Sequence, residues 1–359
     1  MTDKIFTSVI QNILVANGYS YKIEKNHHFL SDTRRGLKED IQLLKNGTAI
    51  RDTSSFCTLE IKGEDALDFL NRISTNDLRK LKPGESVRTI FCTDKGRIID
   101  SVLVVNEGLR FLVFGSGGCS DKLTRWINRY IIMDDVNIKD ITGVFGSFEI
   151  YGPQAQTVII LLSGIKDEEE NRIYNFEFED KFFSVLKYKY GGKQDRYLLF
   201  GEPRNFEKLA NYIIKYDGPF NIDFVSEAAI RHQNIEEIIP GETEISDLFN
   251  PHEVNLMSEV SLKKGCFIGQ EVIARLDTYD KVQKSLAQVE LSEDFAGVLP
   301  VQLLDEEHKD AGMLTSISDY HSNGRMKGMG LVRKGHLQKG ATLYTEDGEK
   351  RITVTVTEL

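Results

Sequence analysis

The richest chemistry in this chain is gathered in Lys263-Lys264-Gly265-Cys266-Phe267-Ile268-Gly269-Gln270-Glu271-Val272-Ile273-Ala274-Arg275. One cysteine stands between two glycines, with an amide, a carboxylate and a guanidinium a few residues later. Gly265 and Gly269 permit a tight backbone path that would present the thiol. Lys264 and Arg275, folded back over it, would favour the thiolate, the form that attacks electrophiles and binds metals. Gln270-Glu271 opens a short helix in which Glu271 and Arg275 are an i,i+4 pair. The competing reading is a cysteine buried between two turns as a small hydrophobe. Spacing alone leaves both open.

Other candidates carry less. Gly115-Ser116-Gly117-Gly118 joins a strand to a helix, an arrangement that can cradle phosphate. The G-x-G-x-x-G and G-x-x-x-x-G-K-[S/T] spacings are both missing, so the turn reads as a tight connection. The acidic runs Asp167-Glu168-Glu169-Glu170 and Glu177-Phe178-Glu179-Asp180 read as a solvated loop and a strand edge rather than metal ligands. Cys57, Cys92, Cys119 and Cys266 form no CxxC pair and no zinc-finger or ferredoxin spacing. A lone thiol cannot hold a cluster that typically uses four thiolates, so no stably bound cluster is expected. Cysteines this scattered suit a reducing cytoplasm rather than a disulfide framework.

These residues need a scaffold of more than one core, since 359 residues exceed the usual single-core limit. Hydrophobic content of 40% with 28% charged residues is ordinary for a globular protein. The formal charge of −10 argues against diffuse attraction to nucleic acid or anionic membrane. No apolar stretch is long enough for a transmembrane helix. Residues 1–50 show no clean period and read as a variable extension. A helix from Ala66 to Ile73 follows a Gly and an Asp; strands at 87–92 and 98–105 flank the turn Thr93-Asp94-Lys95-Gly96. A strand at 109–115 and a helix at 121–129 come next. Beyond an internal boundary near 140, a second strand–helix–strand–strand–helix run suggests a split α+β module with antiparallel strands. After 285 come six short strands, near 286–291, 301–304, 311–317, 328–333, 341–345 and 351–357, with Gly-, Asp- and Asn-bearing turns. They read as a small closed or nearly closed barrel. The expected division is 1–50, 51–285 and 286–359.

The cysteine segment resembles the Lys-Gly-Cys-[Tyr/Phe]-x-Gly-Gln-Glu signature of a branch of the glycine-cleavage T-protein (aminomethyltransferase) superfamily, the folate-binding, iron–sulfur-maintenance or YgfZ-type branch. Asn250-Pro251-His252-Glu253 resembles the superfamily's Pro-x-Glu run, and Ala228-Ala229-Ile230-Arg231 its Ala-Leu-Arg segment. Gly312-Met313-Leu314-Thr315-Ser316 with Gly328-Met329-Gly330-Leu331-Val332-Arg333 resembles its C-terminal barrel pattern. Phe91-Cys92-Thr93-Asp94-Lys95-Gly96-Arg97-Ile98 is similar to its strand–turn–strand entrance. The likeness runs over about residues 50–345, and the cysteine motif alone is specific to the branch. It implies an α+β, T-protein-like fold: split modules around a central cavity, with a small C-terminal β-barrel.

The resemblance also implies roles. Cys266 becomes the functional thiol at the cavity mouth. The strand Gly96-Arg97-Ile98-Ile99-Asp100-Ser101-Val102 aligns with one that carries two adjacent acids in folate-dependent relatives; Asp100 remains and Ser101 replaces the second. Adjacent strand residues face opposite ways, so Ser101 would put a neutral hydroxyl where a cavity-facing acid stood. In the turn Tyr190-Gly191-Gly192-Lys193-Gln194-Asp195-Arg196-Tyr197, Lys193 aligns with a glutamate that accepts from the pterin, and a lysine has no acceptor. Gln194 or Asp195 would substitute if the register shifts. Arg231, Gln270 and Glu271 fall on the cofactor side, and Lys264 and Arg275 are anion contacts for a folate glutamate tail. Surface pairing of Arg275 with Glu271 is the other reading of those charges. The implied function is a folate-binding accessory protein in iron–sulfur cluster assembly or repair, with weak tetrahydrofolate binding and transient assembly or client partners. Tetrahydrofolate-dependent aminomethyl or demethyl transfer is the alternative, disfavoured by Ser101 and Lys193; a non-catalytic partner-binding scaffold is the third.

Overall fold

The computed structural model describes residues 5–190, 194–279, 281–322, 324–348 and 350–359. A hairpin of β1 (Ser20–Glu24) and β2 (His27–Asp32) comes first, then β3 (Thr48–Asp52). Strands β4 (Phe56–Lys62), β5 (Glu85–Cys92), β6 (Ile98–Asn106), β7 (Phe111–Gly117) and β8 (Asn137–Asp140) form an antiparallel sheet ordered β5-β6-β7-β4-β8. Its outer face is covered by the helices Ala66–Ile73 and Ser120–Asn128, which place Phe69, Leu70, Leu123 and Trp126 in one core.

The second sheet joins β3 to β9 (Gly146–Tyr151), β10 (Ile173–Phe178), β11 (Lys181–Tyr190), β12 (Gln194–Gly201) and β13 (Ile222–Phe224), in the order β10-β11-β12-β9-β3-β13. The helices Gln11–Ala16, Ala155–Ser163 and Pro203–Ile214 cover its outer face with Leu14, Val158, Phe206 and Leu209. Residues 5–50, expected to form an extension, are thus built into this module: β3 lies between β9 and β13, and Ile10, Leu14 and Ile50 are core residues. Their period is hidden because β1 is exposed along nearly its whole length.

Strands β14 (Lys284–Leu291), β15 (Val301–Leu304), β16 (Asp310–Ser322), β17 (Arg325–Arg333), β18 (Thr342–Asp347) and β19 (Lys350–Glu358) close into a barrel. Its strands alternate inward apolar with outward polar residues, which is why they were legible as strands. Leu286, Met329 and Leu331 leave the barrel's own core and join a third core shared with both sheets. That shared core brings the two sheets and the barrel around one cavity.

Strand β6 shows how the layers are assigned. Leu103 and Val105 face the shared core, whereas Val102 and Val104 face the helices. Every residue of β6 is buried, as expected of a strand sandwiched on both faces.

Candidate functional site

The cavity, about 190 Å³, lies between the inner faces of the two sheets. Its floor is a row of side chains on four neighbouring strands. Tyr188 on β11 is in register with Arg196 on β12, Leu198 with Glu149 on β9, and Glu149 with Arg51 on β3. Side chains in register share a face, so period-2 alternation alone puts these groups together. The opposite wall carries Arg88, Ser101, Leu103, Phe114 and Ser116 from β5, β6 and β7. The helix Glu227–Glu237 closes one side with Ile230, Arg231 and Asn234. Lys25, in the β1–β2 turn, reaches the loop residue Glu242 at 3.3 Å across the mouth.

Charges on this floor are tightly paired. Arg51 donates to both oxygens of Glu227 at 2.7 Å and to Glu149 Oε2 at 3.1 Å. Glu149 also accepts from the Tyr151 and Tyr188 hydroxyls. Burial alone would raise its carboxyl, but Arg51, Arg196 and the two hydroxyls outweigh it and hold it at about 2. On the opposite wall Arg88 donates to Glu259 Oε1 at 2.7 Å and to Ser101 Oγ at 2.6 Å, and Ser101 Oγ donates to Glu259 Oε2 at 2.6 Å. Arg88 stacks on Tyr190, 4.3 Å from the ring centre, and Arg196 lies 4.8 Å from the ring centres of both Tyr151 and Tyr190.

Ser101 lines the cavity, and Asp100 points the other way. Asp100 accepts from Ser116 Oγ at 2.6 Å and from the backbone N–H groups of Ser116 and Ser101 at 3.0 and 2.9 Å. Burial pushes its carboxyl up to about 6 against the pull of those donors. Arg231 lines the cavity and pairs with Asp319 of the barrel at 3.2 Å.

The other sequence candidates lie elsewhere. Asp195 faces away from the cavity and pairs with Lys187 at 2.7 Å; its neighbour Arg196 faces in. Lys193 lies outside the described residues. Gln270, Glu271 and Arg275, on the helix Gln270–Thr278, are not part of the cavity lining. Glu271 and Arg275 are both exposed and form no ion pair with each other among the described residues, which corrects the i,i+4 expectation.

Cys266 is exposed, and the cavity lining does not include it. Lys264 does not fold over the thiol. Its Nζ is buried and donates to the carbonyls of Asn71, Ser74 and Asn76 at 2.5, 2.6 and 2.5 Å, closing the C-terminal end of the helix Ala66–Ile73. Burial pulls its ammonium down to about 8. Phe267 is buried in the shared core. Gly269 has φ +82°, and a Cβ there would stand 2.6 Å from the Thr93 carbonyl oxygen in the β5–β6 turn. So the motif's flanks pin the loop down and leave the thiol outside. Cys57 and Cys92 are buried and Cys119 half-buried, and burial pushes all three thiols up. No three His, Cys, Asp or Glu side chains gather as a metal-ion set among the described residues, and no helix is long and apolar enough to cross a membrane.

Two split α+β modules and a six-stranded barrel around one charged, aromatic-walled cavity define a T-protein-type fold. The crystal structure of glycine cleavage system aminomethyltransferase T from Bartonella henselae has this fold, with a TM-score of 0.83 over 99% of this chain and 98% of that one, at 17% identity. The GCVT N-terminal domain matches residues 14–264, and the chain belongs to that family, within the aminomethyltransferase (T-protein) superfamily. It is 26% identical to a chloroplastic putative transferase of Arabidopsis thaliana, over 85% of this chain and 70% of that protein. It is 23% identical to an aminomethyltransferase of Desulfitobacterium hafniense, over 86% of this chain and 85% of that protein.

Proposed function

We propose that the chain is a YgfZ-type folate-binding accessory protein in iron–sulfur cluster assembly or repair, acting through Cys266. The observation that carries this reading is Ser101. On the cavity wall its hydroxyl accepts from Arg88 and gives its one proton to Glu259, so this position offers a reacting amine no carboxylate, only a neutral oxygen already tied into an ion pair. The nearest acid on the strand, Asp100, is on the opposite face. Aminomethyl transfer through this wall is therefore disfavoured, although relatives bear that name.

The cavity suits a reduced folate. Phe114 on the wall gives a partly exposed face for a flat ring, and the floor presents both a carboxylate, Glu149, and a guanidinium whose Nε has no partner, Arg196. Glu149 is an acid outside the 190–197 turn that can accept from a pterin, so the argument for weak binding from Lys193 does not stand alone. The thiols do not fit a resident cluster: Cys57 and Cys92 are buried and Cys266 stands apart on the surface. A cluster is cargo here, met at Cys266 together with ligands from a partner, in the cytoplasm or another reducing compartment.

The test has two arms. Purified protein incubated with tetrahydrofolate and methylamine-type donors should form no methylenetetrahydrofolate; appreciable turnover would establish the transferase alternative. Cells carrying Cys266→Ala, at unchanged abundance of the protein, should lose activity of iron–sulfur enzymes. Full activity in those cells would overturn the proposal and leave the scaffold reading.

A further inference from the structure

Three guanidiniums stand on the cavity's floor and wall, those of Arg51, Arg88 and Arg196, and the last is incomplete. Arg51 is satisfied by Glu227 and Glu149, and Arg88 by Glu259 and Ser101. Arg196 is only 4% exposed, yet its Nε is buried with no hydrogen-bond partner. Its NH2 group reaches Asn234 Oδ1 only at 3.5 Å, the outer limit of a hydrogen bond. The rings of Tyr151 and Tyr190 hold the guanidinium in place, each 4.8 Å away. Buried donors are nearly always paired, and a rigidly held exception in a cavity wall marks where a ligand supplies the acceptor.

An acceptor lies beside this donor. Glu149 is in register with Leu198 on the adjoining strand, so Arg196, two residues earlier on β12, is its diagonal neighbour on the same face. Glu149 Oε1 takes one hydrogen bond, from the Tyr188 hydroxyl. A carboxylate oxygen accepts two, which leaves a lone pair for the ligand. The floor thus presents a fixed donor next to a fixed acceptor.

We propose that Arg196 and Glu149 together read a lactam edge, the adjacent C=O and N–H of a planar oxo-heterocycle. The carbonyl oxygen accepts from the Arg196 guanidinium, and the neighbouring ring N–H donates to Glu149 Oε1. This rests on the folate reading, because a 4-oxopteridine carries that edge. It makes Arg196 the residue that sets specificity at position 4 of the ring. A 4-amino ring reverses both partners: an amine donor meets the guanidinium, and a ring nitrogen lone pair meets the carboxylate.

Folic acid and aminopterin differ only in that 4-oxo or 4-amino group, so calorimetric titration of the full chain with each, and with tetrahydrofolate, is the test. Folic acid should bind about 10- to 100-fold more tightly than aminopterin, the factor expected when a buried donor is left facing a donor. Arg196→Gln, whose amide both donates and accepts, should bring the two ligands to within about threefold of each other. If tetrahydrofolate binds but wild-type protein takes aminopterin as well as or better than folic acid, the lactam assignment is overturned and the folate reading survives. If none of the three binds, the folate reading fails and the lactam assignment with it. The wild-type comparison decides the matter even if the variant does not fold.

Discussion

Arg88 on β5 and Ser101 on β6 are diagonal neighbours on one face of the sheet, and the guanidinium donates to the serine hydroxyl at 2.6 Å while holding Glu259 with its Nε. Neither residue is free to be exchanged alone. Ser101 supplies the only proton in that triangle that does not come from Arg88, and it goes to the second oxygen of a buried carboxylate. A carboxylate at position 101 would withdraw that proton and set two acids against one guanidinium. Breaking the balance of a buried ion pair is expensive, because the charge left over has no water to turn to.

Ser101→Asp, the change that restores an acid to this strand position, is therefore expected to destabilise the fold by about 1–3 kcal/mol and to confer no aminomethyl transfer. Urea denaturation measures the first and a tetrahydrofolate turnover assay the second. A stable, active Ser101→Asp protein would show that Arg88 can serve two carboxylates at once.

Asp100 gives a pH signature of known sign. Burial raises its carboxyl from 3.8 to about 6 in the folded chain, so between those values the folded state binds the proton that the unfolded state has released. Stability contributed by this group is present below the unfolded value and lost as pH rises through about 6. Glu149, held at about 2, acts oppositely and in a lower window, losing its contribution as pH falls from its ordinary 4.5. Asp100→Asn should remove the upper window alone. The stability difference between pH 5 and pH 7 should shrink in the variant by about 1 kcal/mol, within the roughly 1.4 kcal/mol per unit that such a shift allows. An unchanged difference would mean that Asp100 ionises normally.

Much of this was readable from sequence, and what was not has a physical reason. The barrel and the β5–β6 hairpin declare themselves through alternation, and alternation also separated Ser101 from Asp100. The same rule places Arg196 on the cavity side and Asp195 outside, but applying it needed the register of the β11–β12 turn, which a Gly-Gly sequence does not fix. Sequence proximity points Lys264 at Cys266, whereas its ammonium serves carbonyls 188 to 193 residues away. Arg88 and Glu259 meet across 171 residues. Such pairs leave no local spacing to read. Of β10 only the strand edge at Glu177 is legible, because the exposed Asn175 and Glu177 interrupt its apolar residues.

The flanks of the cysteine motif are predicted to be structural. Lys264→Met keeps the apolar stem but leaves three carbonyls near a helix end without a donor, and should cost about 1–3 kcal/mol. Gly269→Ala should cost a similar amount, since its Cβ would press on the Thr93 carbonyl at a φ of +82°. Gly265→Ala, at φ +106° with nothing within 4 Å, meets only the backbone strain and should fall below Gly269→Ala. Denaturation midpoints rank the three, and a Gly269→Ala protein as stable as wild type would show that the motif loop is not seated on the β5–β6 turn.

Cys266 is predicted to be the one position of the motif whose loss leaves the fold untouched. It is exposed while Lys264, Phe267 and Gly269 around it are buried, so Cys266→Ala removes no packed atoms and should change stability by less than about 0.5 kcal/mol. Alkylation of the native protein with mass mapping should modify Cys266 first. Cys57 and Cys92 are shut in the cores, Cys119 is half-buried, and burial raises all three thiols, which lowers their thiolate fraction as well as their access. Unfolding in urea should bring the four cysteines to comparable rates. If Cys266 instead reacts no faster than the others in the native state, the loop is covered in solution and the proposed meeting of this thiol with a partner's cluster loses its access.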